Sequence, residues 1–252
     1  MVVVRVLAVV VLISLLATAC SEAEPGGLQQ DEKPRQAQAG REAVSWDYVA
    51  LGDSLAAGVG AERGYVDRYA AHLTDDTGAR VRVANLGVSG QTSSELLDAM
   101  REDGSMRRAL EGAEVVTLNI GINDLGRAGD AYQRGVCGGE DGERCLREAV
   151  AELKGNWDAI AAELLGLRST ENTIIRTPGL GYIPRADDDL EPYVSEVNRH
   201  IASTARSKAI PHVEIPEGEV GMSPDGLHPD DAGYATIADR LRDLGFGPLH
   251  PR

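Results

Sequence analysis

Aromatic side chains are scarce in this chain. Of its 252 residues, two are tryptophan, seven are tyrosine and one is phenylalanine, Phe246. A core built on stacked rings is excluded, so the interior falls to Val, Leu, Ile and Ala. A hydrophobic fraction of 42% suffices for that. Positive charge is also short. Twenty-five Lys and Arg stand against 40 Asp and Glu, a formal charge of −15. A protein that grips a phosphate backbone needs a basic face, so no nucleic-acid partner is expected. The acidity itself speaks to solubility, not activity. Long apolar runs are missing too. Val6 to Ala19 is uncharged for fourteen residues, short of the ~20 that a membrane-spanning helix needs.

Several chemical signatures are absent as well. No stretch reads Gly-x-Ser-x-Gly, so the nucleophile elbow of the α/β-hydrolases is missing. No Walker lysine follows a glycine loop, and Gly58-Val59-Gly60 through Gly64 has the wrong spacing for a dinucleotide loop. Asp187-Asp188-Asp189 lacks the alternating ligands of a calcium loop and reads as a solvated turn. His72, His200, His212 and His250 have no acidic or cysteine partner at ligand spacing, and read as surface or packed histidines. Neither a metal nor a cofactor is expected.

What is present begins with an export pattern. Arg5 precedes the run Val6 to Ala19, whose length suits the apolar core of a signal. It ends Leu16-Ala17-Thr18-Ala19-Cys20. Small residues leading into a cysteine resemble a bacterial lipoprotein box, with Leu16 one place earlier than that pattern usually has it. Residues 1–19 are therefore expected to be a signal peptide. Cys20 is then the lipidated first residue of the mature protein, with ordinary secretion as the alternative. Residues 20–45 are polar and Pro/Gly-containing, with only Leu28 and Val44 sizeable and apolar. They read as a flexible linker that holds the rest off the membrane. Outside the cytoplasm, Cys137 and Cys145 read as a disulfide closed over a flexible Gly-rich segment.

Residues 46–252 are expected to be one domain. Short apolar strands alternate with amphipathic helices. Strands are expected at Tyr48–Leu51, Val81–Leu86, Val115–Ile120, Thr173–Arg176 and Val213–Ile215. Helices are expected at Tyr65–Leu73, at Ser93–Met100, through Leu146, Val150, Leu153, Trp157, Ile160 and Leu164, at Tyr193–Ala205, and from Tyr234 to Leu244. Five βα units imply an α/β three-layer α/β/α sandwich around a five-stranded, mainly parallel sheet of flavodoxin-like type. Such folds place ligands at the carboxyl ends of their strands.

The segments after the strands therefore carry the functional reading. Strand one ends in Gly52-Asp53-Ser54-Leu55. Strand two leads to Asn85 and Gly87-Val88-Ser89-Gly90. Strand three leads to Gly121-Ile122-Asn123-Asp124, and the last loop holds Asp225-Gly226-Leu227-His228-Pro229. Each alone has a bland reading: Ser54 as a helix cap, the glycines as turn residues, Asn123-Asp124 as an Asx turn, His228 as a loop histidine. Together they supply what acyl transfer needs. Asp225 and His228 lie about one helical turn apart, so the carboxylate can bond one ring nitrogen and leave the other for Ser54. Backbone N–H groups of Ser54 and Gly90 and the Asn123 amide can receive an oxyanion.

These four blocks resemble the GDSL motif and following blocks of the SGNH hydrolases, over about residues 46–245. The resemblance implies their sandwich fold and a serine esterase or lipase activity. Ser54, Asp225 and His228 are then catalytic, and Ser54, Gly90 and Asn123 form the oxyanion hole. The expected substrate is a small acyl ester or lipid, with lysophospholipid or short-chain esters favoured. A carbohydrate O-acetyl esterase of the cell envelope and a catalytically silent glycan-binding domain are the alternatives. The residues do not settle an oligomeric state; a monomer is the working expectation.

Overall fold

The computed structural model describes residues 44–180, 190–215, 218 and 220–249. The expectations for residues 1–43, including the signal peptide and Cys20, and for Asp187–Asp189 and His250 fall outside the described residues. In chain order the elements are β1 (Ser45–Gly52), α1 (Ser54–Ala57), α2 (Tyr65–Thr77), β2 (Arg80–Asn85), α3 (Ser93–Glu102), α4 (Gly104–Gly112), β3 (Val115–Asn119), α5 (Ile122–Gln133), α6 (Arg144–Leu167), β4 (Ile174–Pro178), α7 (Glu191–Ser207), β5 (His212–Val213) and α8 (Asp231–Asp243). Strand β1 starts at Ser45, one residue inside the expected linker.

The strands form one sheet in the order β2-β1-β3-β4-β5, and every strand pairing is parallel. This is the expected α/β architecture, with helices on both faces of the sheet. The period-2 geometry of β1 explains the two layers. Val49 and Leu51 join one core with Leu96, Met100, Trp157 and Ile201 of α3, α6 and α7. Tyr48 and Ala50 join the other with Val66, Tyr69, Leu73, Ile237 and Leu241 of α2 and α8. Burial on both faces is why β1 and β3 read as short continuous apolar runs.

The strand order also places the expected site residues. After β1 the chain steps to β2 on one side, then crosses to β3 on the other. The crevice at the ends of β1 and β3 is the switch point where open parallel sheets bind ligands. Ser54 follows β1 directly, and Asn123 follows β3.

Three helices depart from the sequence expectation. The four-residue α1 is too short to show a period. Helix α4 begins and ends in glycine and is started by Asp103, whose carboxylate accepts the N–H groups of Ser105 and Met106. Helix α5 contains Gly126 and Gly129, poor helix formers. Packing justifies Gly129: a Cβ there would lie 2.7 Å from a Leu190 methyl. Asn123 and Asp124 accordingly sit in the first helical turn of α5, not in an Asx turn. Cys137 and Cys145 form a disulfide, with Cα atoms 4.8 Å apart, tying the segment after α5 to the start of α6.

Candidate active site

The turn after β1 is made possible by Gly52. Its φ is +144°, and a side chain there would run into the Asn119 carbonyl of β3. The next residue is the helix cap. Asp53 Oδ1 accepts the Leu55 N–H at 3.0 Å, so Asp53 is the N-cap and Ser54 the first helical residue of α1. This corrects the reading of Ser54 as a cap. The Ser54 residue is 8% exposed, and its hydroxyl has no hydrogen-bond partner among the described residues. Its N–H, a first-turn group, has no acceptor among them either.

The segment after β2 is fastened to this turn. Val88 N–H donates to Gly52 O at 2.9 Å, and Asn85 Nδ2 to Ala56 O at 2.7 Å. A Cβ on Gly87 would lie 2.7 Å from Ala57 N, so only glycine allows this approach. Gln91 N–H then closes a turn onto Val88 O at 3.1 Å, with Gly90 third in the turn at φ +81°. Gly90 has nothing within 4 Å of where a Cβ would stand, and its N–H is unbonded among the described residues.

Helix α5 meets the same turn from the other side. Asn123 Nδ2 donates to Gln91 O at 2.9 Å, joining the two expected oxyanion groups through one residue. Asp124 accepts from Ser93 N at 2.9 Å and from Ser93 Oγ at 2.6 Å, and Asn156 Nδ2 donates to the same hydroxyl at 3.0 Å. Burial raises the Asp124 pKa, opposed by those Ser93 bonds.

The last loop brings the expected base to its carboxylate. His228 Nδ1 and Asp225 Oδ2 are 2.7 Å apart. Asp225 Oδ1 collects His228 N–H at 2.9 Å, Leu227 N–H at 2.8 Å and Ser223 Oγ at 2.7 Å. Those donors, the His228 backbone first, hold its carboxyl well below the usual carboxylate range. An ionised carboxylate only accepts, so the Nδ1 proton is on the histidine, and the neutral ring keeps its lone pair on Nε2. This loop is packed on the segment after α1. A Cβ on Gly60 would sit 2.7 Å from His228 Cβ. Tyr234 Oη donates to Val59 O at 2.7 Å, and Asp231 receives the N–H groups of Glu62 and Arg63.

The structure thus bonds Asp225 to His228, links Gly90 to Asn123 through Gln91, and sets Ser54 at the start of α1, just after the strand that lies between β2 and β3. No hydrogen bond joins Ser54 to His228 among the described residues; such contacts commonly tighten only when substrate is bound. Sequence reasoning assigned no role to Asp53. It has no exposed surface, and its pKa is pushed up to about 6, by burial first and by Asp124, against the pull of the Leu55 N–H and of His228. It also missed Ser93, Asp124 and Arg127, whose partners lie more than thirty residues away. Ser223, two residues before Asp225, was in principle visible as a local hydroxyl-to-carboxylate spacing. His72 and His200 pair with Asp239 and Asp158 across elements, as surface histidines. Among the described residues no cluster of three or more His, Cys, Asp or Glu is arranged to hold a metal, and no helix is long and apolar enough to cross a membrane.

Residues 50–236 match the model of the GDSL-like lipase/acylhydrolase family. The chain belongs to this family. It is a carboxylic ester hydrolase of the lipase and esterase class. This GDSL-type hydrolase is 29% identical over 217 residues to the spore germination lipase LipC of Bacillus licheniformis, covering 82% of this chain and 99% of that protein. Its fold is similar to that of a lipase from a goat rumen metagenome, with a TM-score of 0.70 at 25% identity, over 81% of this chain and all of the other. It is also similar to an acetylxylan esterase from Geobacillus stearothermophilus, with a TM-score of 0.60 at 20% identity, over 83% and 99% of the two chains. At that identity the second likeness speaks for the fold alone.

Proposed function

We propose that this hydrolase cleaves carboxylic esters through an acyl-enzyme on Ser54. His228 Nε2 takes the hydroxyl proton as Ser54 Oγ attacks the ester carbonyl. Asp225 keeps the proton on Nδ1 and steadies the imidazolium that forms. The negative oxygen is received by the N–H groups of Ser54 and Gly90 and by the Asn123 amide. Each such donor is worth roughly 10²–10³ in rate. His228 returns the proton to the leaving alcohol, and water then releases the acid by the same route. The observation that carries the reading is the 2.7 Å Asp225–His228 pair, with Nε2 unbonded among the described residues, on a loop packed against the segment that follows Ser54.

The preferred substrates are lysophospholipids or short-chain acyl esters. Val88 and Leu227, beside Gly90 and His228, are among the most exposed large apolar side chains, at 53% and 44%. An apolar rim of this kind suits an acyl chain better than a sugar. Residues 46–252 form the hydrolase domain in this reading, exported and tethered through Cys20; the disulfide fits an oxidising compartment.

The test is hydrolysis of aryl esters from acetyl to palmitoyl, a lysophospholipid and an acetylated oligosaccharide by the native protein and Ser54→Ala. Turnover lost in Ser54→Ala supports the nucleophile; equal turnover by both proteins sinks it. Preference for the acetylated sugar would move the substrate to the carbohydrate class. Labelled palmitate incorporated by the native protein and not by Cys20→Ala supports the anchor, and label in both removes it.

A further inference from the structure

The turn that carries Gly90 is held by more than Asn123. The Gln91-to-Val88 bond and the φ of +81° at Gly90 are the marks of a type II turn, whose central peptide group joins Ser89 to Gly90. The next two peptide groups are each fixed at both ends. In the first, Gln91 N–H is held by Val88 O, and Gly90 O accepts from Arg127 Nη2 at 3.2 Å. In the second, Thr92 N–H is held by Glu95 Oε2 at 2.9 Å, and Gln91 O by Asn123 Nδ2. On the other side, Val88 N–H is held by Gly52 O. The Ser89–Gly90 peptide has neither end bonded among the described residues. Among the described residues it is the link of the turn with both ends unbonded, and its aim depends on the pinned groups around it.

Arg127 grips the carbonyl next to that free N–H. It stands one helical turn after Asn123 on α5, so the two side chains take consecutive carbonyls of the turn. Its guanidinium is steered by Glu95, at 3.2 Å to Oε1, and Glu95 is itself half of the capping box of α3. We propose that Arg127 is a positioning residue for the oxyanion hole: by holding the Gly90 carbonyl it aims the Gly90 N–H at the oxygen that becomes negative. The inference rests on the reading of Gly90 as an oxyanion donor. Arg127 touches neither nucleophile nor base. Without it the Gly90 carbonyl loses its partner among the described residues, and a small misplacement of a donor is enough to slow the chemistry.

The side chain of Arg127 is 61% exposed, so truncating it opens no cavity and leaves the fold intact. Arg127→Ala, Arg127→Lys and Gly90→Ala, with the Arg127→Ala/Gly90→Ala double variant, are compared on 4-nitrophenyl acetate and against an alkyl boronic acid, which forms a tetrahedral adduct on serine. Arg127→Ala is expected to lower kcat about tenfold, a fraction of what losing a whole donor costs. KM and the melting temperature stay unchanged, and boronate affinity falls by the same factor as kcat. Arg127→Lys recovers part of the rate. In the Gly90→Ala background, removing Arg127 costs little more. A full kcat in Arg127→Ala, a loss confined to KM, or a full extra loss on top of Gly90→Ala overturns the proposal. An active Ser54→Ala would overturn the underlying reading instead, so the two failures are distinguishable.

Discussion

Asp53 offers a quantitative test of how the floor of the site is built. Its Oδ1 caps α1, while its Oδ2 is buried with no partner among the described residues. Burial lifts its pKa from 3.8 to about 6. That rise corresponds to about 3 kcal/mol between its two protonation states. The sign follows from proton counting. Between pH 4 and 6 the folded protein holds a proton that the unfolded chain has lost. The contribution of Asp53 to stability therefore falls, by about 3 kcal/mol in all, as pH rises past both pKa values, and is level above them. Asp53→Asn cannot titrate. It keeps an oxygen for the Leu55 N–H but puts an NH2 group where Oδ2 has no partner, a constant cost of roughly 1–3 kcal/mol. Whatever that offset, the stability of the variant relative to the native protein should improve by about 2.5 kcal/mol between pH 4 and pH 7.5. Urea unfolding followed by tryptophan fluorescence, with m-values compared at each pH, measures this. A difference that is the same at both pH values would refute the assignment of a desolvated carboxyl at Asp53.

Other outcomes follow from the same geometry. Asn123→Ala should lower kcat/KM by roughly 10²–10³ on an aryl ester, because it removes a proposed oxyanion donor and frees Gln91 O. Asp225→Asn should lower kcat by about 10⁴ by favouring the wrong His228 tautomer. Its stability deficit should be full at neutral pH and shrink below about pH 4, where the unfolded chain's Asp225 takes up a proton while the native carboxylate, its pKa depressed, stays ionised. Removing the disulfide, whose cysteines are 8 apart in sequence, should cost about 2.5 kcal/mol in urea unfolding under the chain-entropy account. A loss near zero would show that the reduced chain is already ordered there.

Much of this was readable from residues because the information was local. Val49 and Leu51 facing one core and Tyr48 and Ala50 the other is what a strand buried on both faces must look like. The periodic face of α6 is as plain in its sequence as in its packing. The Asp225-x-x-His228 spacing placed a carboxylate on a ring nitrogen because three residues can close that contact by themselves. Other features needed the third dimension. Helix α5 hides behind two glycines, one of them required by Leu190 from a distant helix. Asp124 meets Ser93, and Arg127 meets Gly90, across more than thirty residues, through strand neighbours that no local window contains. Ser54 and Asp53 are both good caps by type, and only the direction of the Asp53 carboxylate decided between them.

The central claim is that Ser54 is the nucleophile activated by His228. The most direct measurement is covalent labelling with an alkyl fluorophosphonate, followed by mass mapping of the modified residue. The native protein should lose esterase activity in step with one label on Ser54, His228→Ala should label far more slowly, and Ser54→Ala should not label. Label on another residue that tracks the loss of activity, or unchanged activity in a protein fully labelled at Ser54, would contradict it.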